Sequence, residues 1–383
     1  QLFRVRRTEC RARRAQRGGT ESMTRQRILL TGSGTVGREL LLAFLRGTDA
    51  KVALLMRDRG RRTASSRADA LFGMLGLSDE ERRRVEVLRG DVSAAGLGLD
   101  AGVQDRLAGT LDLIVHTAAT TSLTADRFLC ERVNRDGTVN ALILAERCFG
   151  DGRLRRFIHL STALVAGGAS AAVSREDELP VAPAHANHYE WSKYEAERIV
   201  RATMHAGLPV TVFRPSMVVG DTDTGCTRDF NVIYPLVRLM ASGYVTRFPA
   251  DPRARLHLAP MNFVVDAVVR AIDAPWTSGL TFHLTAPNPP TVADLFNSRA
   301  FFPPGAPRPQ LCPPDEFDLA DCSARERELL ESVSFCFPYF NSRLSFETTN
   351  TSRLVPLPVT DGAYLDRLGR YAVESGYLRH AIA

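Results

Sequence analysis

Two residues four positions apart, Tyr189 and Lys193, have side chains that could act together on a proton. On a helix, this spacing places both side chains on one face. A phenol ionises at about pH 10, so it is a poor acid at neutral pH unless a positive charge stabilises its anion. Lys193 could supply that charge, since the chain has only two lysines and otherwise uses arginine. An ordinary amphipathic pair on a helix surface would look the same, and this alternative stays open here.

A glycine-rich stretch lies between a short apolar run and a helical pattern. Residues 27–31 (RILLT) predict a buried strand, and residues 38–45 predict a helix. In this context G-x-G-x-x-G is typical of a dinucleotide-binding turn, with the pyrophosphate at the helix N-terminus. The predicted cofactor contacts in the turn are Thr31, Gly32, Ser33, Gly34, Thr35, Val36 and Gly37.

The residues after the second predicted strand, at 51–56, select between cofactors. An acidic residue at this place holds a ribose 2′-hydroxyl, whereas an arginine accommodates a 2′-phosphate. Arg57 comes first, and Asp58 and Arg59 follow it. This order favours NADPH, with Arg57 and Arg59 as contacts, and Asp58 keeps NADH as the less favoured alternative. A solvated charge run in a loop is the other interpretation.

Strand and helix patterns alternate from residue 27 to residue 215, which predicts an α/β fold with a doubly wound parallel sheet of the Rossmann type. Right-handed crossovers gather the loops that follow the strands along one edge. Thr162 follows the fifth strand, so we expect it at the same edge as Tyr189, Lys193 and the glycine turn. Further predicted cofactor contacts at this edge are Asp91, Val92, Thr117, Ala118, Ala119, Asn134, Lys193, Pro215 and Ser216.

The alternation weakens after residue 220, and the stretch 286–315 is rich in proline. We therefore expect an NADP-binding Rossmann domain over 23–220 and a smaller C-terminal α+β cap over 221–383, partly interleaved with the sheet. Such a cap would cover the strand ends, where a substrate pocket belongs. Residues 1–22 hold seven arginines and two glutamates, and we expect a basic leader that is disordered or non-native, with a targeting peptide as the alternative.

Composition narrows the classes of partner and cofactor. Outside the leader, basic and acidic residues nearly balance, so no nucleic-acid partner is implied. No apolar run approaches the roughly 20 residues of a membrane span. The seven cysteines contain no CxxC pair, and the histidines show no metal spacing, so we expect free thiols, no metal and a cytoplasmic protein. The sequence does not indicate an oligomeric state.

With these residues identified, the chain resembles the extended short-chain dehydrogenase/reductase superfamily over about residues 27 to 290. Within it, the chain looks most like the thioester reductase and male-sterility (fatty acyl reductase) branch. The matching features are YxxxK at 189–193, Thr162 as the catalytic Ser/Thr, Asp91-Val92 as the adenine contact, FRP at 213–215, Arg57, GLGL at 96–99, Asn134 with Gly137-Thr138, DTG at 223–225 and APMNFV at 259–264. The turn at 31–37 is one residue shorter than the branch's TGxxGxxG, and Asn262 stands where an aspartate is usual.

The resemblance implies hydride transfer from NADPH to a substrate carbonyl. Tyr189 would donate the proton, Lys193 would lower the phenol's pKa and bind the nicotinamide ribose, and Thr162 would donate to the carbonyl oxygen. On an acyl thioester, delivered by coenzyme A or an acyl or peptidyl carrier protein, the product is an aldehyde. The alternatives are a ketone- or steroid-type dehydrogenase, a nucleotide-sugar epimerase on the same fold, and a non-catalytic NADPH-binding protein.

Overall fold

The computed structural model describes residues 26–168, 173–231 and 233–379. The predicted basic leader at 1–22 lies outside the described residues. The strands are β1 (Arg27–Thr31), β2 (Lys51–Met56), β3 (Val85–Arg89), β4 (Leu113–His116), β5 (Arg156–Leu160), β6 (Val173–Ser174), β7 (Val210–Pro215), β8 (Met217–Val219), β9 (Arg247–Pro249), β10 (Leu258–Pro260), β11 (Thr281–Leu284), β12 (Gln310–Cys312) and β13 (Ser345–Phe346). The helices are α1 (Thr35–Gly47), α2 (Ala64–Leu75), α3 (Asp79–Arg83), α4 (Ala101–Ala108), α5 (Arg127–Cys130), α6 (Gly137–Gly150), α7 (His188–His205), α8 (Ile233–Met240), α9 (Met261–Ile272), α10 (Val292–Asn297), α11 (Ala324–Val333), α12 (Thr349–Leu354) and α13 (Gly362–Glu374).

Seven parallel strands form the main sheet in the order β11-β7-β5-β4-β1-β2-β3. Ile28 of β1 is opposite Val52 of β2 on one side and Leu113 of β4 on the other. The chain therefore changes direction across the sheet next to β1. In open α/β sheets, such a switch point leaves a crevice at the carboxyl ends of the strands, where ligands bind. The prediction of a doubly wound parallel sheet is confirmed.

Helices cover both faces of this sheet, because its strands are apolar on both sides. On one face, Phe44 of α1 and Val264 of α9 belong to one buried cluster. On the other face, Leu144 of α6 and Val200 of α7 belong to a second buried cluster. Within the described ranges, no helix is both long enough and apolar enough to cross a bilayer.

A third apolar cluster lies outside the main sheet. It includes Leu236 of α8, Phe248 of β9 and Leu368 of α13. Short two-stranded pairs accompany it, namely β10 with β8, β12 with β9, and β13 with β6. Strand β11, by contrast, joins the main sheet next to β7. The C-terminal region thus combines its own core with one strand of the large sheet, and the boundary at residue 220 stays a prediction.

Candidate active site

The glycine turn between β1 and α1 packs closely against the loop that follows β4. Gly32 has a φ of 94°, and a Cβ atom on it would lie 2.8 Å from the Cα of Ala118. A Cβ on Gly37 would lie 2.2 Å from the carbonyl oxygen of Gly32. The Thr117 hydroxyl donates to the Thr31 carbonyl at 2.6 Å. Only glycine fits at positions 32 and 37, and the resulting turn suits the close backbone approach of a dinucleotide.

The residues after β2 and β3 meet beside this turn. The Nη1 atom of Arg57 lies 3.6 Å from Oδ2 of Asp91. The backbone N–H of Ser93 donates to Oδ1 of Asp91 at 2.9 Å, which orients that carboxylate. Asp58 accepts from the backbone N–H of Ala64 at 2.7 Å and from Nε of Arg89 at 3.0 Å. The carboxylate that would have favoured NADH is therefore engaged by the protein itself.

Arg67 of α2 is a candidate cofactor residue that the sequence analysis missed. It donates to the backbone carbonyl of Arg57. Burial lowers the pKa of Arg67, and the positive charges of Arg57, Arg59 and Arg62 lower this pKa further, although Asp58 opposes the shift. Four guanidinium groups thus lie near one another, and their mutual repulsion favours a bound anion. The arginine-rich run at 57–67 could have indicated this cluster, but only the fold of α2 shows that Arg67 lies next to Arg57.

Thr162, Tyr189 and Lys193 lie together at the carboxyl edge of the sheet. Thr162 follows β5 and is hydrogen-bonded to Tyr189, the second residue of α7. Asn187 caps this helix, since its side chain accepts from the backbone N–H of Glu190 at 3.0 Å. Lys193 is 2% exposed, and its ammonium donates to the Leu160 carbonyl at 2.7 Å. The structure brings the three predicted catalytic residues into one site.

Burial shifts the pKa values of both Lys193 and Tyr189. Burial lowers the pKa of Lys193 to about 8, although the Glu197 carboxylate partly opposes the shift. Burial raises the pKa of Tyr189 to about 12, and the hydrogen bond with Thr162 acts in the opposite direction. Desolvation dominates at the phenol, so the net pKa is raised, and the role of Lys193 in lowering this pKa stays a prediction. Tyr189 is therefore protonated at neutral pH, as a proton donor must be.

Two buried histidines, His116 and His159, lie near Lys193. His116 ends β4, His159 belongs to β5, and their ring centroids are 5.7 Å apart. Burial lowers the pKa of His116 to about 3 and that of His159 well below its usual value, and the charge of Lys193 lowers both pKa values further. Both rings are consequently neutral at pH 7. Of these three basic side chains, Lys193 is the one that can carry a charge near neutrality.

A buried ion pair holds α7 against β7. Arg214 and Glu197 are both fully buried, and Nη2 of Arg214 lies 2.6 Å from Oε1 of Glu197. Ser161 also donates to Glu197, at 2.6 Å. Burial opposes ionisation of Glu197, but Arg214 and Arg201 outweigh it and hold the pKa of the carboxyl at about 2. Because Glu197 lies one helical turn after Lys193, this pair fixes the helix that carries Tyr189 and Lys193.

Asn134 connects the loop after β4 with α7. It lies in a π-helical segment, Glu131–Asp136, and is 1% exposed. Its amide nitrogen donates to the hydroxyl of Ser192 at 2.9 Å and to the carbonyl of Thr120 at 3.1 Å. Its amide oxygen accepts from the backbone N–H of Thr120 at 2.8 Å. These bonds give Asn134 a positioning role, and a direct cofactor contact stays a prediction.

The other predicted contacts lie at or near the same edge. Ser33 and Gly34 are in the turn, Val36 is in the first turn of α1, Val92 and Ala119 follow β3 and β4, Pro215 ends β7, and Ser216 follows it. The carbonyl of Pro215 accepts from the Thr162 hydroxyl at 3.4 Å. Ser216 donates instead to the carbonyl of Leu284 at 3.3 Å. Their contacts with a cofactor stay predictions.

Tyr339 is a second residue that the sequence analysis missed at this site. It belongs to a 3-10 helical segment, Ser334–Phe340, in the C-terminal region. Its hydroxyl donates to Oε1 of Glu190 at 2.5 Å and accepts from the side-chain amide of Asn187 at 2.8 Å. Glu190 is 3% exposed and directly follows Tyr189. The C-terminal region therefore contacts the first turn of α7.

Residues 30–268 match the NAD-binding family described as male sterility protein. The chain belongs to this family. The resemblance deduced from the sequence is confirmed at this level.

Relatives of this male sterility family member include parts of much larger proteins. This chain is 29% identical over 279 residues to a linear gramicidin synthase subunit of Brevibacillus parabrevis, and the match covers 70% of this chain and 5% of that protein. It is 34% identical over 271 residues to a carboxylic acid reductase of Segniliparus rugosus, covering 63% of this chain and 22% of that protein. The chain thus spans less than a quarter of the length of either relative.

Among solved structures, the fold is similar to that of the terminal R domain from the myxalamid PKS-NRPS biosynthetic pathway. The TM-score is 0.79, the sequence identity is 25%, and the match covers 94% of each chain. The agreement extends over the C-terminal region as well as the main sheet, since so little of either chain is left out.

Proposed function

We propose that this protein is a reductase that uses NADPH to convert an acyl thioester into an aldehyde and a thiol. The observation that carries the proposal is the grouping of Thr162, Tyr189 and Lys193 at the sheet edge that also bears the glycine turn. A proton donor, a hydroxyl for the carbonyl oxygen and a cation are thereby held beside a dinucleotide-binding turn. The relationship to carboxylic acid reductases and to a terminal R domain supports the thioester as substrate.

The side chains divide the work at the thioester carbonyl. NADPH, when bound, supplies the hydride. The Thr162 hydroxyl donates a hydrogen bond to the carbonyl oxygen, which stabilises the negative charge that develops there. Tyr189 then gives its proton to this oxygen, and Lys193 compensates the charge left on the phenol. The resulting hemithioacetal breaks its carbon–sulfur bond, so that an aldehyde and a thiol leave.

The arginine cluster supports NADPH over NADH. Asp58 is engaged by Arg89 and by the backbone at Ala64, so it does not compete for a ribose hydroxyl. Arg57 and Arg67 lie next to each other, and the neighbouring arginines add positive charge. A 2′-phosphate is the part of NADPH that NADH lacks, and it would neutralise this cluster.

We further propose that the acyl group arrives on a carrier, either a carrier protein or coenzyme A. Two of the related proteins are named for a gramicidin synthase and for a PKS-NRPS pathway, which supports a carrier-bound thioester. The six described cysteines are free thiols, five of them buried, which is consistent with a reducing compartment such as the cytoplasm.

The experiment is a substrate panel in which cofactor oxidation and thiol release are measured together. Pantetheine and coenzyme A thioesters of several chain lengths are compared with ketones and nucleotide sugars, each with NADPH and NADH. The proposal expects thiol release equal to NADPH loss with at least one thioester. Turnover of ketones or sugars without thiol release would overturn it in favour of a dehydrogenase or epimerase. Tyr189→Phe is the control for site-dependent turnover.

A further inference from the structure

The loop between β8 and α8 reaches back to the dinucleotide-binding helix α1 and pairs with it through opposite charges. Nε of Arg228 donates to Oε1 of Glu39 at 2.7 Å. The adjacent Asp229 forms an ion pair with Arg38. Two neighbouring loop residues, one basic and one acidic, thus pair with an acidic and a basic residue that are neighbours in α1.

Asp229 of this loop lies beside the first residue of α1. Its Oδ2 atom accepts both from the hydroxyl of Thr35, at 2.5 Å, and from the guanidinium of Arg38. Thr35 is the first residue of α1, so the shared oxygen lies beside the first turn of the helix. A dinucleotide pyrophosphate binds at this end of the helix in a turn of this type. A carboxylate therefore lies where the phosphates of the cofactor are expected.

Two further observations indicate that this end of α1 is suited to a stronger anion. The N-cap residue, Gly34, has no side chain with which to cap the helix, and the first turn has no acidic residue. Nε of Arg38 is buried without a hydrogen-bond partner in the described part of the chain. The helix end and the guanidinium thus keep donor capacity that one carboxylate oxygen does not use.

We infer that Arg38 is a ligand of the cofactor's pyrophosphate, and that Asp229 competes with the pyrophosphate for Arg38 and Thr35. The inference rests on the proposed dinucleotide binding. Two anions cannot share these donors without strong repulsion, so cofactor binding displaces the carboxylate of Asp229. The pair between Arg228 and Glu39 keeps the loop near α1 during this exchange.

The competition makes a prediction with a definite sign. A competing carboxylate reduces the fraction of protein that is ready to bind, and the apparent affinity falls by that fraction. Removing the charge should therefore tighten NADPH binding, by about tenfold on the usual scale of such coupling. A residue that merely positioned Arg38 for the cofactor would have the opposite effect when removed.

The experiment is a titration of the purified full chain with NADPH, followed by nucleotide fluorescence, for the wild type and Asp229→Asn. Asp223→Asn is the matched control, because Asp223 is an exposed carboxylate of the same loop. Adenosine 2′-monophosphate is the control ligand, since it carries the 2′-phosphate but no pyrophosphate. Asp229→Ala, which removes the side-chain oxygens altogether, is the second variant and must change the affinity in the same direction.

The inference expects tighter NADPH binding in both Asp229 variants, with adenosine 2′-monophosphate affinity and the Asp223→Asn protein unchanged. Adding Arg38→Gln to Asp229→Asn should weaken NADPH binding at least about tenfold. The inference is overturned if Asp229→Asn leaves the NADPH affinity unchanged or weakens it, or if Arg38→Gln has no effect in that background. If the wild type still binds NADPH when the inference is overturned in this way, the proposed function is unaffected. If neither the wild type nor any variant binds NADPH or NADH, the proposed function itself is contradicted.

Discussion

Replacing Lys193 by methionine should abolish activity and, at the same time, make the protein more stable. Lys193 is almost fully buried, and its ammonium donates a hydrogen bond to the Leu160 carbonyl. Burying an ammonium is costly unless a partner charge lies close to it. Methionine has a similar shape and no charge, so it removes this cost. Because Lys193 lowers the stability of the folded state, its presence is best explained by a role in function.

The magnitude follows from the pKa of Lys193, which burial lowers from 10.5 to about 8. A difference of this size corresponds to about 3 kcal/mol of destabilisation at neutral pH. Losing the hydrogen bond to Leu160 costs about 1 kcal/mol, so the net gain in free energy of unfolding is about 2 kcal/mol. The sign with pH is fixed, because a base with a depressed pKa destabilises the folded state most below that pKa. The penalty is complete below about pH 8 and disappears as the pH rises through 10.5.

Urea unfolding of wild type and Lys193→Met at pH 7 and pH 10 measures this difference, and the thioester assay measures the activity. The variant should be more stable at pH 7, and its advantage should vanish at pH 10. Lys51→Met is the matched control, since Lys51 is the other lysine of the chain and is exposed at the start of β2, so its effect should stay within about 0.5 kcal/mol. A Lys193→Met protein that is less stable than wild type at pH 7, or that keeps its activity, would refute the reasoning.

Three further predictions concern the surroundings of the site. Glu197→Gln should lower the free energy of unfolding by about 3 kcal/mol at pH 7. This difference should shrink as the pH falls from 4.5 towards 2, because the depressed pKa stabilises the folded state only while the carboxyl is ionised. The control Glu195→Gln removes a partly exposed ion pair on the same helix and should cost less than about 1 kcal/mol by urea unfolding. Tyr339→Phe should lower kcat about tenfold with NADPH affinity unchanged, and an effect on melting temperature alone would show that the contact is merely structural. Arg67→Gln should weaken NADPH binding at least about tenfold and leave NADH binding unchanged in parallel titrations; equal losses for both cofactors would contradict a 2′-phosphate contact.

Much of the site could be predicted because it depends on the order of strands and helices. The glycine turn after β1 and the place of Thr162 after β5 follow from a parallel sheet whose crossovers are right-handed. The same order brings Tyr189 and Lys193 to that edge. Their positions were therefore correct, and their roles stay predictions.

The rest could not be predicted because it depends on contacts between distant parts of the chain. Tyr339 and Glu190 are 149 residues apart, and Thr35 and Asp229 are 194 residues apart. No local pattern announces such pairs, since they arise from the packing of the C-terminal region. The net pKa values of the site could not be predicted for a related reason, because they depend on burial. Helical spacing placed Lys193 one turn from Tyr189, but only the structure shows that its ammonium bonds to the Leu160 carbonyl.

The central claim is that hydride passes from NADPH to a thioester carbonyl at the Thr162, Tyr189 and Lys193 site. Its most direct test uses NADPH deuterated at both positions of nicotinamide C4, with an acyl pantetheine as substrate and mass spectrometry of the product. One deuterium should appear at C1 of the aldehyde, with one thiol released for each NADPH oxidised, and Tyr189→Phe should slow this transfer by about two to four decades. Aldehyde without deuterium, or full transfer by Tyr189→Phe, would contradict the account.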